Sequence, residues 1–160
     1  MSKGDGVGEG KGEGSNIPRD LAIESGKRDR YRELTDEDSS SPFAGQQMSK
    51  VFMFSLAVGY DQGLQKSLDS RSGSIPWSAL SPNEQWIIKS VAVKEEEDPH
   101  VLSDGSRVAE IVQEYANGGF EYIDDVIKGP QDTLSTLRAD VVTEHRKQVE
   151  PDAIGVSNDD

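Results

Sequence analysis

The chain of 160 residues contains no cysteine and only two histidines, His100 and His145. The first absence excludes disulfides, thiol chemistry and cysteine-ligated zinc. The second leaves no histidine beside another ligand at a recognisable spacing, which argues against a zinc or two-metal hydrolytic centre. Other catalytic signatures are missing as well. No Gly-x-Ser-x-Gly elbow occurs, and the neighbours Asp124 and Asp125 would diverge by about 100° on a helix instead of working as one acid/base pair. The length of 160 residues suits one compact domain with tails, and the hydrophobic content of 33% is lower than usual for a globular domain, with the deficit at the N-terminus. No apolar run approaches the roughly 20 residues of a membrane helix, and no signal-peptide pattern opens the sequence, so a cytoplasmic location is expected. No catalytic, cofactor-binding or metal-ligating residue is assigned.

Basic charge is also scarce. Against 30 acidic residues stand 17 lysines and arginines, for a net charge of -13. The acid is dispersed: residues 1–47 carry 7 basic and 10 acidic side chains, 48–127 carry 6 and 13, and 128–160 carry 4 and 7. Such a surface keeps a protein soluble and repels DNA phosphates at low salt. It also fits a salty cytoplasm, where screening removes much of the self-repulsion.

What is present starts with glycine at positions 4, 6, 8, 10, 12 and 14. This head lacks a Gly-Lys-Ser/Thr ending, a preceding strand and a following helix, so it is no phosphate loop. Charged residues between glycines predict a disordered coil over 1–16. The only dense basic cluster follows: Lys27, Arg28, Arg30 and Arg32, with Tyr31 inside it. One reading is an arm in which the bases hold phosphates and the tyrosine stacks on a base. The other is a solvated helix face whose bases pair with Glu24, Asp29 and Glu33. Four bases in an acidic protein make a weak electrostatic footprint, which favours pairing.

Met48–Tyr60 is the most apolar stretch, and Lys50 is its only charge. Its spacing predicts a core helix buried on most of its circumference and ending near Gly59. Ser81-Pro82-Asn83-Glu84 reads as a capping box with proline at the first helical position. The helix it opens carries Trp86, Ile87, Ile88, Val91 and Ala92, and is expected to be broadly buried. The acids Glu95–Asp98 should fray or leave that helix as a solvated edge, since acid opposes the dipole at a C-terminus. Val108, Ile111, Val112 and Tyr115 form a further apolar stripe, which Asn117-Gly118-Gly119 is expected to stop. Phe120–Ile127 then resumes as a separate helix, and another is expected over about 132–149, before a flexible acidic tail at 151–160. The fold class is therefore mainly α: a single domain over 17–150 with four to five helices, long connections, a core at about 48–127 and room for a short strand pair near Ile75.

The order of segments carries a resemblance. It runs from Leu56-Ala57-Val58-Gly59-Tyr60 through Gly63, Leu68 and Arg71-Ser72-Gly73-Ser74-Ile75 to the Trp86 helix. Glu97-Asp98-Pro99, Leu102-Ser103-Asp104 and Glu114-Tyr115-Ala116-Asn117-Gly118-Gly119 complete it. From about Ile17 to Ile127 the chain resembles the small accessory proteins encoded with bacterial and archaeal DNA phosphorothioation systems, Dnd system-associated protein 4. Its acidity fits a haloarchaeal member. The resemblance implies a role in defence, where DNA carries sulfur in its backbone and partner proteins restrict unmodified DNA. The expected partners are larger proteins of that system, ATPases or nucleases, with DNA reached through the complex. No catalytic residue carries over. The head, the serines at 39–41 and the segment after Pro130 lie outside the pattern.

The function expected on these grounds is a non-enzymatic accessory or adaptor component, using no cofactor and touching no membrane. Lys27, Arg28, Arg30, Tyr31, Arg32, Tyr60, Arg71 and Tyr122 are the candidate nucleic-acid or partner contacts. One alternative is a stand-alone DNA-binding regulatory module. Another is a metal-dependent nuclease, which would have to gather several of Asp61, Asp69, Asp104 and Glu114. An unrelated interaction protein, such as a toxin–antitoxin component, is the third.

Overall fold

In the computed structural model, residues 16–129 are described. Most of the expected head, the expected helix at 132–149 and the tail at 151–160 lie outside the described residues. Four helices, α1 (Arg28–Thr35), α2 (Met48–Gln62), α3 (Pro82–Glu96) and α4 (Gly105–Lys128), join two short strands, β1 (Asp20–Ile23) and β2 (Ser72–Pro76). The strands are antiparallel, with Leu21 opposite Ile75 and an irregularity at the next pair. Both of those side chains are fully buried, so the ribbon packs one face on the helices. The mainly helical architecture with a strand pair at Ile75 agrees with the sequence reading.

The longest element is α4, at 24 residues. It corrects the expected break at Asn117-Gly118-Gly119: the helix runs straight through, and all three residues are buried. The physical reason is close approach, not chain reversal. A Cβ on Gly119 would lie 1.8 Å from the Ser55 backbone oxygen, and one on Gly118 would lie 1.8 Å from that of Leu64. From the other side, a Cβ on Gly59 would lie 1.9 Å from the Tyr115 oxygen. Helices α2 and α4 thus meet backbone to backbone along a seam of small residues, which only glycine permits. The Leu-Ala-Val-Gly-Tyr and Tyr-Ala-Asn-Gly-Gly motifs are the two halves of this crossing.

Helix α2 also differs from expectation at its end and on its faces. It continues past Gly59 to Gln62 and stops at Gly63, whose φ of 67° is left-handed. The Leu64 amide donates to the Gly59 carbonyl and the Gly63 amide to that of Tyr60, the paired bonds of a Schellman stop. Its buried face is Val51, Phe52, Ser55, Leu56 and Gly59, whereas Phe54 is exposed. The apolar stripe is narrower than the composition suggested.

The core draws on residues ahead of α2 as well. Leu21, Ile23, Tyr31 and Leu34 are buried with Phe52, Leu56, Ile88, Ile111, Val112 and Phe120. Gln113 on α4 accepts the Ala22 amide at 2.7 Å in this interior, satisfying a donor that the strand irregularity leaves free. The connection from α1 to α2 is tied down by its own side chains: Asp36, Ser39 and Ser41 each accept a backbone amide two residues ahead.

Candidate functional site

The basic cluster straddles the start of α1 and faces the C-terminal half of α4 across an open groove of about 510 Å³. Its bases do not point together. Lys27 Nζ contacts Glu24 at 3.0 Å, Glu121 at 2.9 Å and Asn117 Oδ1 at 2.6 Å. Arg30 Nε donates to Asp124 at 2.7 Å and Nη1 to Glu33 at 3.0 Å. Lys66 reaches Glu121 as well, and Lys128 reaches Asp124 at 2.7 Å. Burial alone would raise the Asp124 pKa, but the bonds from Lys128 and Arg30 outweigh it and hold the carboxyl below its ordinary value. Lys66, and then Lys27, likewise hold Glu121 low against burial. Asp29, Glu33, Glu121, Asp124 and Asp125 line the groove against Lys27, Arg30 and Lys128, so it carries an excess of negative charge and repels phosphate.

Tyr31 requires a correction. It is 1% exposed and stacks on Phe120 with ring centroids 4.2 Å apart, leaving no face for a base. Burial pushes its phenol well above the ordinary tyrosine value, which the nearby Ser55 hydroxyl offsets only in part. Arg28 and Arg32 are exposed on α1, outside the groove lining. Tyr60 is half buried with its ring edge-on to Tyr115 at 5.3 Å, Arg71 is exposed just before β2, and Tyr122 is exposed on α4. Only Lys27 and Arg30 of the candidates line the groove.

The carboxylates that a nuclease would need are dispersed. Asp104 caps α4 by accepting the Arg107 amide, and Glu114 lies within hydrogen-bonding reach of Gln65. Among the described residues no three His, Asp or Glu side chains come together as a metal site. Asp124 is buried and Asp125 exposed, the divergence that helical geometry demands.

The second surface lies on α3. Its capping box forms as expected, with the Ser81 hydroxyl accepting from the Glu84 amide and the Glu84 carboxylate accepting from that of Ser81. The expectation of broad burial is overturned. Ile88, Val91 and Ala92 face the core, but Trp86 is 63% exposed and Ile87 50%. The acids at its C-terminal end also stay put: Glu95 accepts the Tyr115 hydroxyl at 2.8 Å, and Glu96 binds Arg107 at 2.6 Å. Glu97 follows in the left-handed conformation, and Asp98 caps the next turn. On the outward face Trp86, Lys89, Ser90, Val93, Lys94 and Leu102 line a shallow depression of about 250 Å³. A helical wheel of the sequence puts Trp86 about 160° from Ile88, so its outward position was visible in the spacing, whereas Val93 is half-buried against the core.

The family model for DNA sulphur modification system-associated protein 4 matches residues 22–158. The chain belongs to that family. No curated protein and no solved structure gives a significant match. The match corrects the expected extent of the family pattern: it takes in the serines at 39–41 and continues past Pro130 to residue 158. As a member of the DNA sulphur modification system-associated protein 4 family, the protein is an accessory component of that system. Two of the motifs that carry the resemblance, Leu56–Tyr60 and Glu114–Gly119, build its α2–α4 crossing. Among the described residues, no helix is long and apolar enough to cross a membrane.

Proposed function

We propose that this protein is a non-enzymatic adaptor that docks a larger protein of the DNA sulphur modification system, an ATPase or nuclease subunit, and reaches DNA through that complex in the cytoplasm. The observation that carries this reading is the outward face of α3, where Trp86 and Ile87 are exposed while Ile88, Val91 and Ala92 pack inward. A tryptophan left in water next to aliphatic side chains is typical of a protein contact. Within the same reading, the dispersed acidity is an adaptation to a salty cell interior.

Direct duplex contact is the second reading. It is favoured by Arg28 and Arg32, one turn apart on the exposed side of α1 and without a salt bridge among the described residues. Arg71, Tyr60 and Tyr122 belong to the same set of candidate contacts.

One comparison separates the two. The tagged chain, its Trp86→Ala/Ile87→Ala variant and its Arg28→Ala/Arg32→Ala variant are each used to recover system proteins from the native host, and each is titrated with duplex DNA. The adaptor reading expects the α3 variant alone to lose the partner, with negligible duplex binding by the isolated wild type. Salt-dependent duplex binding by the wild type, weakened by the arginine variant, would establish the second reading instead.

A further inference from the structure

We propose that the outward face of α3 receives an acidic amphipathic helix of the partner protein, which seats an apolar side chain against Trp86 and Val93 and places carboxylates on Lys89 and Lys94. This deepens the adaptor reading and rests on it. The charges of α3 are sorted by face. Glu84 is held by Lys50, Glu95 by the Tyr115 hydroxyl and Glu96 by Arg107, all contacts back to the domain. Lys89 and Lys94 instead border the depression and make no salt bridge among the described residues. Lys89 Nζ lies 5.1 Å from the centre of the Trp86 ring. In a chain of net charge -13, this helix face is a basic island around an apolar centre. Complementary charge then selects an acidic partner.

The competing occupants fit less well. Single-stranded nucleic acid uses several aromatic faces and a continuous basic track. Here one tryptophan is joined by the aliphatic Val93 and Leu102, and the bordering lysines are two, Lys89 and Lys94, which is no continuous track. A second copy meeting this face across a two-fold axis would set the same lysine-bordered patch against itself, and like charges would oppose one another.

The test places a photo-crosslinking phenylalanine analogue at position 90, which is exposed within the lining of the depression, in the full chain co-expressed with the other proteins of the sulphur modification system. Adducts are mapped by mass spectrometry. The expected adduct lies in one partner segment that carries apolar and acidic residues at helical spacing. Lys89→Glu/Lys94→Glu, with an unchanged melting temperature, should lower the adduct yield at least tenfold. Lysines in place of the mapped carboxylates should restore it. An adduct to nucleic acid, to a second copy or to a segment without carboxylates overturns the inference. So does co-purification of system proteins without an adduct, although the adaptor reading then stands. Loss of both adduct and co-purification in the wild-type background removes both.

Discussion

Replacing Gly119 by alanine would put a methyl carbon 1.8 Å from the Ser55 backbone oxygen and 2.7 Å from the Gly59 amide nitrogen. Both obstacles are backbone, so no rotamer change relieves them, and the helices have to separate. Helix propensity works the other way and favours alanine over glycine by about 1 kcal/mol. Overpacking in a close-packed interior costs about 1–3 kcal/mol, and more where nothing yields. The clash therefore wins at Gly119, and by the same geometry at Gly59. Each alanine variant is expected to lose at least about 2 kcal/mol in urea unfolding. Gly26 is the control, because a Cβ there meets nothing within 4 Å and its φ is not in the left-handed region. Gly26→Ala should instead gain about 0.4–1 kcal/mol by restricting the unfolded chain. If all three variants behaved alike, the seam would not be where the stability is sensitive.

At the scale of elements, Asn117 ties the crossing to the chain on either side of it. Its Oδ1 accepts from Lys27 at 2.6 Å, and its Nδ2 donates to the Lys66 and Ser67 carbonyls, both at 3.3 Å. Asn117→Ala removes the donor to the Lys66 and Ser67 carbonyls at a partly buried site, while Lys27 keeps Glu24 and Glu121, a cost of about 1–3 kcal/mol. The loss should be localised: amide exchange of residues 64–69 should accelerate while α2 and α4 keep their protection. Asn117 also shows where the sequence was legible and where it was not. The Ser81–Glu84 box was readable because a cap depends on residues within one turn of it. Asn-Gly-Gly has two physical uses, a left-handed stop and a close crossing. The α2 backbone that chooses between them lies about sixty residues away. The basic cluster has the same problem, since its decisive partners Glu121 and Asp124 sit about ninety residues further along the chain. Trp86 needed less. Its two-sided helix was present in the pattern, but which side the core would cover depended on the packing of α3 against α4.

For the whole molecule, two electrostatic effects of opposite sign compete, and pH and salt separate them. Asp124, Glu24 and Glu84 are held below their ordinary values despite burial, by bonds from Lys128 and Arg30, from the Asp69 amide and Lys27, and from Lys50 and the Ser81 amide. Glu121 is held low by Lys66 first and then by Lys27. A carboxyl with a depressed folded pKa contributes stability that is present above its unfolded value, 3.8 for aspartate or 4.5 for glutamate. That contribution is lost as pH falls through the folded value. The melting temperature should therefore change little from pH 7 to 5 and drop below about pH 4.5. Against these local pairs stands the repulsion of a chain with net charge -13, which is long-ranged and screened by salt. The pairs are partly buried and are screened less. Raising KCl from low to multimolar at pH 7 should thus raise the melting temperature, because the repulsion loses more than the pairs do. At pH 4 many carboxylates are protonated, the repulsion has largely gone, and the same salt series should be nearly flat. A flat or falling response at pH 7 would mean that the ion pairs dominate, and would remove the case for adaptation to a salty cell.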